Sequence, residues 1–148
     1  MDDWEVTARV AIDDTTARYV RFADGGRAAE LASLFTEDGV LVTDTDEVHG
    51  RAAITRYLDE ARSSLATGPG GGRIRHHVSS LRVDFPSRTE ARATSYFLAI
   101  TAAGPDHWGR YRDRLVRVDD QWLFAHRSAT VEGWAPGSWA AQRRRRSG

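Results

Sequence analysis

Cysteine is absent from the 148 residues, which excludes disulfides, thiolate zinc sites and cysteine nucleophiles. Lysine is absent too: all 21 basic residues are arginine, balanced by 21 acidic ones for a formal net charge of zero. A chain with no excess positive charge is not built to hold nucleic acid through its phosphates. No apolar run is long enough to span a bilayer. The opening Met1-Asp-Asp-Trp-Glu5 has no hydrophobic signal core, so the expectation is a cytoplasmic protein with no membrane partner. The glycines of Thr67-Gly-Pro-Gly-Gly-Gly72 lack the lysine and the Ser/Thr of a phosphate-cradling loop, and a strand follows them rather than a helix. His-x-His and Glu-x-x-His spacings are also missing, so no metal and no cofactor is expected.

What remains is the composition of an ordinary globule, with 41% hydrophobic and 28% charged residues, long enough to bury one substantial core. Val6, Val10, Ala17, Val20 and Phe22, widened by Ile12 and Tyr19, predict a helix that stops at Gly25-Gly26. A second helix is predicted over 27–35, and a short strand over 40–44 after the Glu37-Asp-Gly39 turn. A third helix over 52–64 carries Ile54, Tyr57, Leu58 and Ala61 as its apolar stripe. Strands follow over 73–85, 89–102, 107–118 and 121–131, joined by tight turns that favour antiparallel pairing. Helices segregated from such a sheet give an α+β fold. Twist should curl the sheet into a half-open cone with the three helices on its concave face. Its mouth suits a small, largely apolar ligand. The domain is expected over 1–134, with a disordered arginine-rich tail over 135–148.

The stretch Arg73-Ile-Arg-His-His-Val-Ser-Ser-Leu-Arg-Val-Asp-Phe85 holds the candidate chemistry. Neighbouring residues of a strand face opposite ways, so His76 and His77 cannot share a site. If Leu81, Val83 and Phe85 face the core, the same parity turns His77 and Ser79 inward. The best candidate partner for His77 upstream is Asp24, in the corner between the first two helices. Read alone, Asp24 is a helix N-terminal cap or an anion favoured by the helix dipole.

Several segments together resemble the nuclear transport factor 2-like superfamily and, within it, the SnoaL-like proteins. They are Tyr19-Val-Arg-Phe-Ala-Asp24, Glu30-Leu-Ala-Ser-Leu-Phe-Thr-Glu-Asp-Gly-Val40, Val48-His-Gly-Arg-Ala-Ala-Ile54, Arg75-His-His-Val-Ser-Ser-Leu-Arg-Val83, Gly109-Arg-Tyr-Arg-Asp113 and Asp120-Gln-Trp-Leu-Phe-Ala-His-Arg127. The resemblance implies a cone-shaped α+β (cystatin-like) fold. Compared with scytalone dehydratase, it implies a catalytic Asp24–His77 pair. That enzyme's second histidine would fall near Ser95, its asparagine near Tyr111, and its two phenols near Ala23 and Asp44. The substrate-orienting groups therefore differ, and a different substrate is expected.

An imidazole hydrogen-bonded to a carboxylate has a fixed tautomer and raised basicity. It suits proton abstraction beside a carbonyl, followed by dehydration, cyclisation or isomerisation. Tyr111 or Ser95 would then stabilise the enolate oxygen, Asp113 would serve as a second acid or base, and Phe97, Asp44 and Ser79 would contact the ligand. The reading is thus a lyase- or isomerase-type enzyme acting on a small cyclic or polyketide-like compound. The alternative is a non-catalytic subunit, similar to the small chains of ring-hydroxylating dioxygenases, whose pocket would be filled by side chains. Two partly apolar sheet faces, one beyond the helices' reach, predict a homodimer.

Overall fold

A computed structural model describes residues 1–147. The first helix, α1 (Asp3–Asp24), buries Ala8, Ile12, Thr15, Thr16 and Tyr19, spaced three and four apart along one face. Its polar members are satisfied: the Thr15 hydroxyl lies 2.9 Å from the Trp122 carbonyl and the Thr16 hydroxyl 3.0 Å from that of Ile12. The stripe is rotated from the expected one, leaving Val6 and Val10 47% and 66% exposed. Two glycines then reverse the chain, Gly26 at φ +70°, where an L side chain would be strained. The Arg27 N–H donates back to the Phe22 carbonyl at 2.9 Å, closing the helix end.

Next come α2 (Ala28–Ala32), β1 (Phe35–Val42), β2 (Glu47–His49) and α3 (Arg51–Thr67). They are followed by β3 (Ile74–Ser87), β4 (Glu90–Thr101), β5 (Gly104–Val118) and β6 (Gln121–Trp134), then α4 (Trp139–Ser147). The second helix is shorter than expected because Phe35 already belongs to β1, paired in register with Phe124. The Glu37-Asp-Gly39 segment is an irregularity within that strand, where the β1–β6 register shifts between Phe35 and Val40.

The sheet runs β2-β1-β6-β5-β4-β3. All neighbours are antiparallel except β1 and β6, which pair in parallel, so the sheet is mixed rather than purely antiparallel. Helices α1 and α3 lie against it. Between them and the sheet, Ile12, Tyr19, Leu31, Phe35, Leu41, Ile54, Leu115 and Phe124 form the core. The α+β class with helices covering the sheet stands as expected. No helix among the described residues is long and apolar enough to cross a membrane.

Two expectations need correction. Residues 139–147 are helical, not a disordered tail. Ser138 caps this helix, its Oγ accepting the Ala141 N–H at 3.1 Å, and Ala140 and Ala141 are buried. The second concerns β3. Its pairing with β4 runs one to one from Ile74↔Thr101 to Ser79↔Tyr96, then resumes at Arg82↔Thr94 with one extra residue on β3. Ser80 absorbs the bulge at φ +57°. A bulge inverts the inward–outward alternation on its two sides. Val83 and Phe85 turn inward after it, as expected, but before it the inward residues are Ile74, His76 and Val78. His77 and Ser79 are exposed.

Candidate active site

The Gly25-Gly26 reversal leaves Asp24 at the last position of α1, facing β3. There its Oδ1 lies 2.6 Å from Nδ1 of His76, not of His77. Its Oδ2 accepts the His76 backbone N–H at 3.1 Å. Strand β3 is the sheet edge, so this N–H has no strand to pair with, and the carboxylate takes it. Both partners are enclosed, with side chains 16% and 10% exposed for His76 and Asp24. The expected Asp24–His77 contact is therefore replaced by Asp24–His76.

A second pair repeats the arrangement. His107, at the start of β5, holds its Nδ1 2.8 Å from Oδ2 of Asp106. That carboxylate also accepts the Trp139 N–H on Oδ1 at 2.9 Å and the Ala140 N–H on Oδ2 at 3.2 Å. Burial works to raise the Asp106 carboxyl, but the bonds from His107, Ala140 and Trp139 outweigh it and hold it below the usual carboxylate range. Sequence reasoning missed this pair. The signal was present in the parity of His107, Gly109, Tyr111, Asp113 and Leu115, which all turn inward.

The two imidazoles stand edge to face, ring centroids 6.2 Å apart and planes at 80°. Phe97 packs against both, at 6.4 Å from His76 and 5.8 Å from His107. All three line one cavity of about 220 Å³, together with Tyr19, Tyr111 and Trp139. That is slightly below the roughly 300–1,000 Å³ of drug-sized ligand sites. With each Nδ1 bonded to a carboxylate, each ring leaves Nε2 as its remaining proton-transfer atom. Tyr111 is buried, and that burial, with Tyr19 beside it, raises its phenol well above the ordinary value. It therefore stays protonated and able to donate. A larger groove of about 700 Å³ lies between α1 and the β3 bulge. We assign the site to the inner cavity, because only there do both imidazoles meet.

The other expected contacts divide. Phe97 and Tyr111 line the cavity, and Asp44 sits at its mouth. There Asp44 accepts the Val131 N–H at 2.9 Å and pairs with Arg144 at 3.4 Å. Ser79 is on the bulge and faces the outer groove. Ser95 is 2% exposed, off the cavity lining, and its Oγ has no hydrogen-bond partner among the described residues. Asp113 is a buried counter-ion, holding Arg127 through two bonds of 2.8 and 3.0 Å, which leaves it no part in ligand contact. Val83 and Leu115 belong to the core and Leu81 packs against it, and none of the three lines the cavity. No group of three or more potential ligands that could hold a metal ion occurs among the described residues.

Residues 4–128 match the family model described as a SnoaL-like domain. No curated protein matches the sequence. Among solved structures, a protein assigned as a scytalone dehydratase from Novosphingobium aromaticivorans is 28% identical, with a TM-score of 0.75 and 91% of each chain covered. ActVI-ORFA from Streptomyces coelicolor is 25% identical at a TM-score of 0.72, covering 84% of this chain and 98% of its own. Rv3472 from Mycobacterium tuberculosis, a protein of unknown function, is 28% identical at a TM-score of 0.77, covering 88% of this chain and 75% of its own.

Proposed function

The chain belongs to the SnoaL-like domain family, and from that premise we propose that it is a cofactor-independent acid–base enzyme of the lyase or isomerase type. Its substrate class is a small cyclic or polyketide-like carbonyl compound. The likeness to an assigned scytalone dehydratase supports the reaction type. The observation that carries the reading is the pair of carboxylate-anchored imidazoles on one apolar cavity. The cavity is open rather than filled by side chains, which favours an enzyme over a non-catalytic subunit.

In a dehydration, Nε2 of His76 takes the proton from the carbon beside the carbonyl. The C–H electrons move into the ring-carbon framework, and the carbonyl oxygen gains charge. Asp24 stabilises the imidazolium so formed and keeps its ring in one tautomer. Tyr111 donates a hydrogen bond to the enolate oxygen. Protonated His107, held by Asp106, gives its Nε2 proton to the hydroxyl on the next carbon. Water leaves, a carbon–carbon double bond forms, and the carbonyl is restored. The net change is one water lost. Cyclisation and double-bond migration use the same first step and the same enolate.

The test is incubation with a panel of cyclic β-hydroxy ketones in D2O, followed by NMR. Loss of water is expected, with deuterium entering beside the carbonyl of recovered substrate as the enolate is reprotonated, and with no effect of chelator. Turnover that vanishes on chelation and returns with one divalent ion would overturn the reading.

A further inference from the structure

Asp106 is heavily committed. Its side chain is 2% exposed, and it receives three donors: His107 Nδ1 at 2.8 Å, and the first two backbone N–H groups of α4, from Trp139 at 2.9 Å and Ala140 at 3.2 Å. Those amides are among the four that a helix cannot satisfy internally, and the positive end of the helix dipole favours an anion there. The third, from Ala141, goes to Ser138 Oγ at 3.1 Å. One carboxylate therefore anchors a helix and an imidazole at once. The same helix forms part of the cavity wall through Trp139, Ala140, Arg143 and Arg144. The Trp139 ring lies 5.9 Å from that of His107, and its Nε1 donates to Ser64 Oγ at 3.1 Å. The Asp24–His76 pair differs here, because among the described residues the Asp24 side chain bonds only to His76.

We propose that Asp106 is a positioning residue coupling the seating of α4 to the orientation of His107, so that His107 presents Nε2 to the cavity only while α4 is docked. If α4 lifts, Asp106 loses two donors and gains water. Its grip on Nδ1 is then no longer fixed in direction, and the ring can turn or change tautomer. A ligand touching the cavity face of α4 would thus act on the second proton-transfer group without contacting it. The consequence for turnover rests on the acid–base reading above; the coupling itself does not.

The experiment is NMR on the full chain with labelled histidine. Followed at a pH alkaline enough to keep the ring neutral, the two ring nitrogens of His107 differ most in shift when a single tautomer is populated and converge when tautomers mix. The first variant is Ser138→Ala, which removes the α4 cap but touches neither Asp106 nor His107. Faster amide exchange at Trp139 and Ala140, accompanied by convergence of the His107 nitrogen shifts, is expected. Loosened amides with unchanged His107 shifts would overturn the coupling. If Ser138→Ala leaves α4 intact, Asp106→Asn decides. There the amides and the ring should change together, and a change confined to either one overturns the proposal. This readout needs no substrate, so it stands or falls apart from the catalytic assignment.

Discussion

Arg127 has no exposed surface, and its guanidinium lies among three aromatic rings, 3.8 Å from Tyr111, 4.2 Å from Tyr19 and 4.4 Å from Phe124. Among the described residues its compensating charge is Asp113. Burial works to lower the arginine, but Asp113 more than offsets it and holds it above the ordinary value. Removing one member of such a pair strands the other charge in the core, which costs about 3–5 kcal/mol. Asp113→Ala should therefore lower the unfolding free energy obtained from urea titration by that amount; a loss below about 1 kcal/mol would mean that the guanidinium finds water instead. At this scale Asp24 was legible, because two glycines after a periodic helix mark a corner. Its partner was read one residue off. The parity of Leu81, Val83 and Phe85 was carried back across Ser79-Ser80, where the bulge inverts it. Ile74 and Val78, apolar on the opposite parity, were the sign that it switches.

Elements were easier to foresee than their irregularities. Four long strands and three helices were readable from period and turns, because alternation and helical spacing report burial directly. Bulges leave a fainter trace, since they arise from how two strands meet. One lies on β6 at Glu132, opposite Trp108 and Gly109 of β5. A Cβ at Gly109 would lie 1.9 Å from the Thr130 carbonyl oxygen, so the two backbones approach too closely for any side chain. Gly109→Ala should destabilise by about 1–3 kcal/mol, as overpacked sites do, measured as a lower melting temperature. An unchanged melting temperature would mean that β6 yields freely at this point. The α4 helix was hidden for another reason. The Arg143-Arg-Arg-Arg146 run reads as solvated, while the docking signal lies just before it in Ser138-Trp-Ala-Ala141. The donors that hold it belong to a pairing with Asp106, more than thirty residues away.

Seen whole, the molecule has a helix-covered sheet face and an uncovered one. The uncovered side carries Tyr96 and Trp108, 57% and 40% exposed, beside the exposed Arg112 and Arg114. Large aromatics left open to water mark interaction surfaces, and we propose a homodimer through this face. Light scattering at micromolar concentration should give twice the chain mass, and a monomer mass would contradict it. The cavity, by contrast, is assembled from within one chain, since α1, β3, β5 and α4 each bring a part of it. The measurement closest to the central claim compares turnover of the wild type with His76→Ala, His107→Ala and His77→Ala on one substrate. His76→Ala and His107→Ala should each lose on the order of 100-fold or more in kcat, as when a positioned proton-transfer group is removed. His77→Ala, exposed on the opposite face, should stay near the wild-type rate. A loss in His77→Ala equal to that in His76→Ala, in folded protein, would contradict the account.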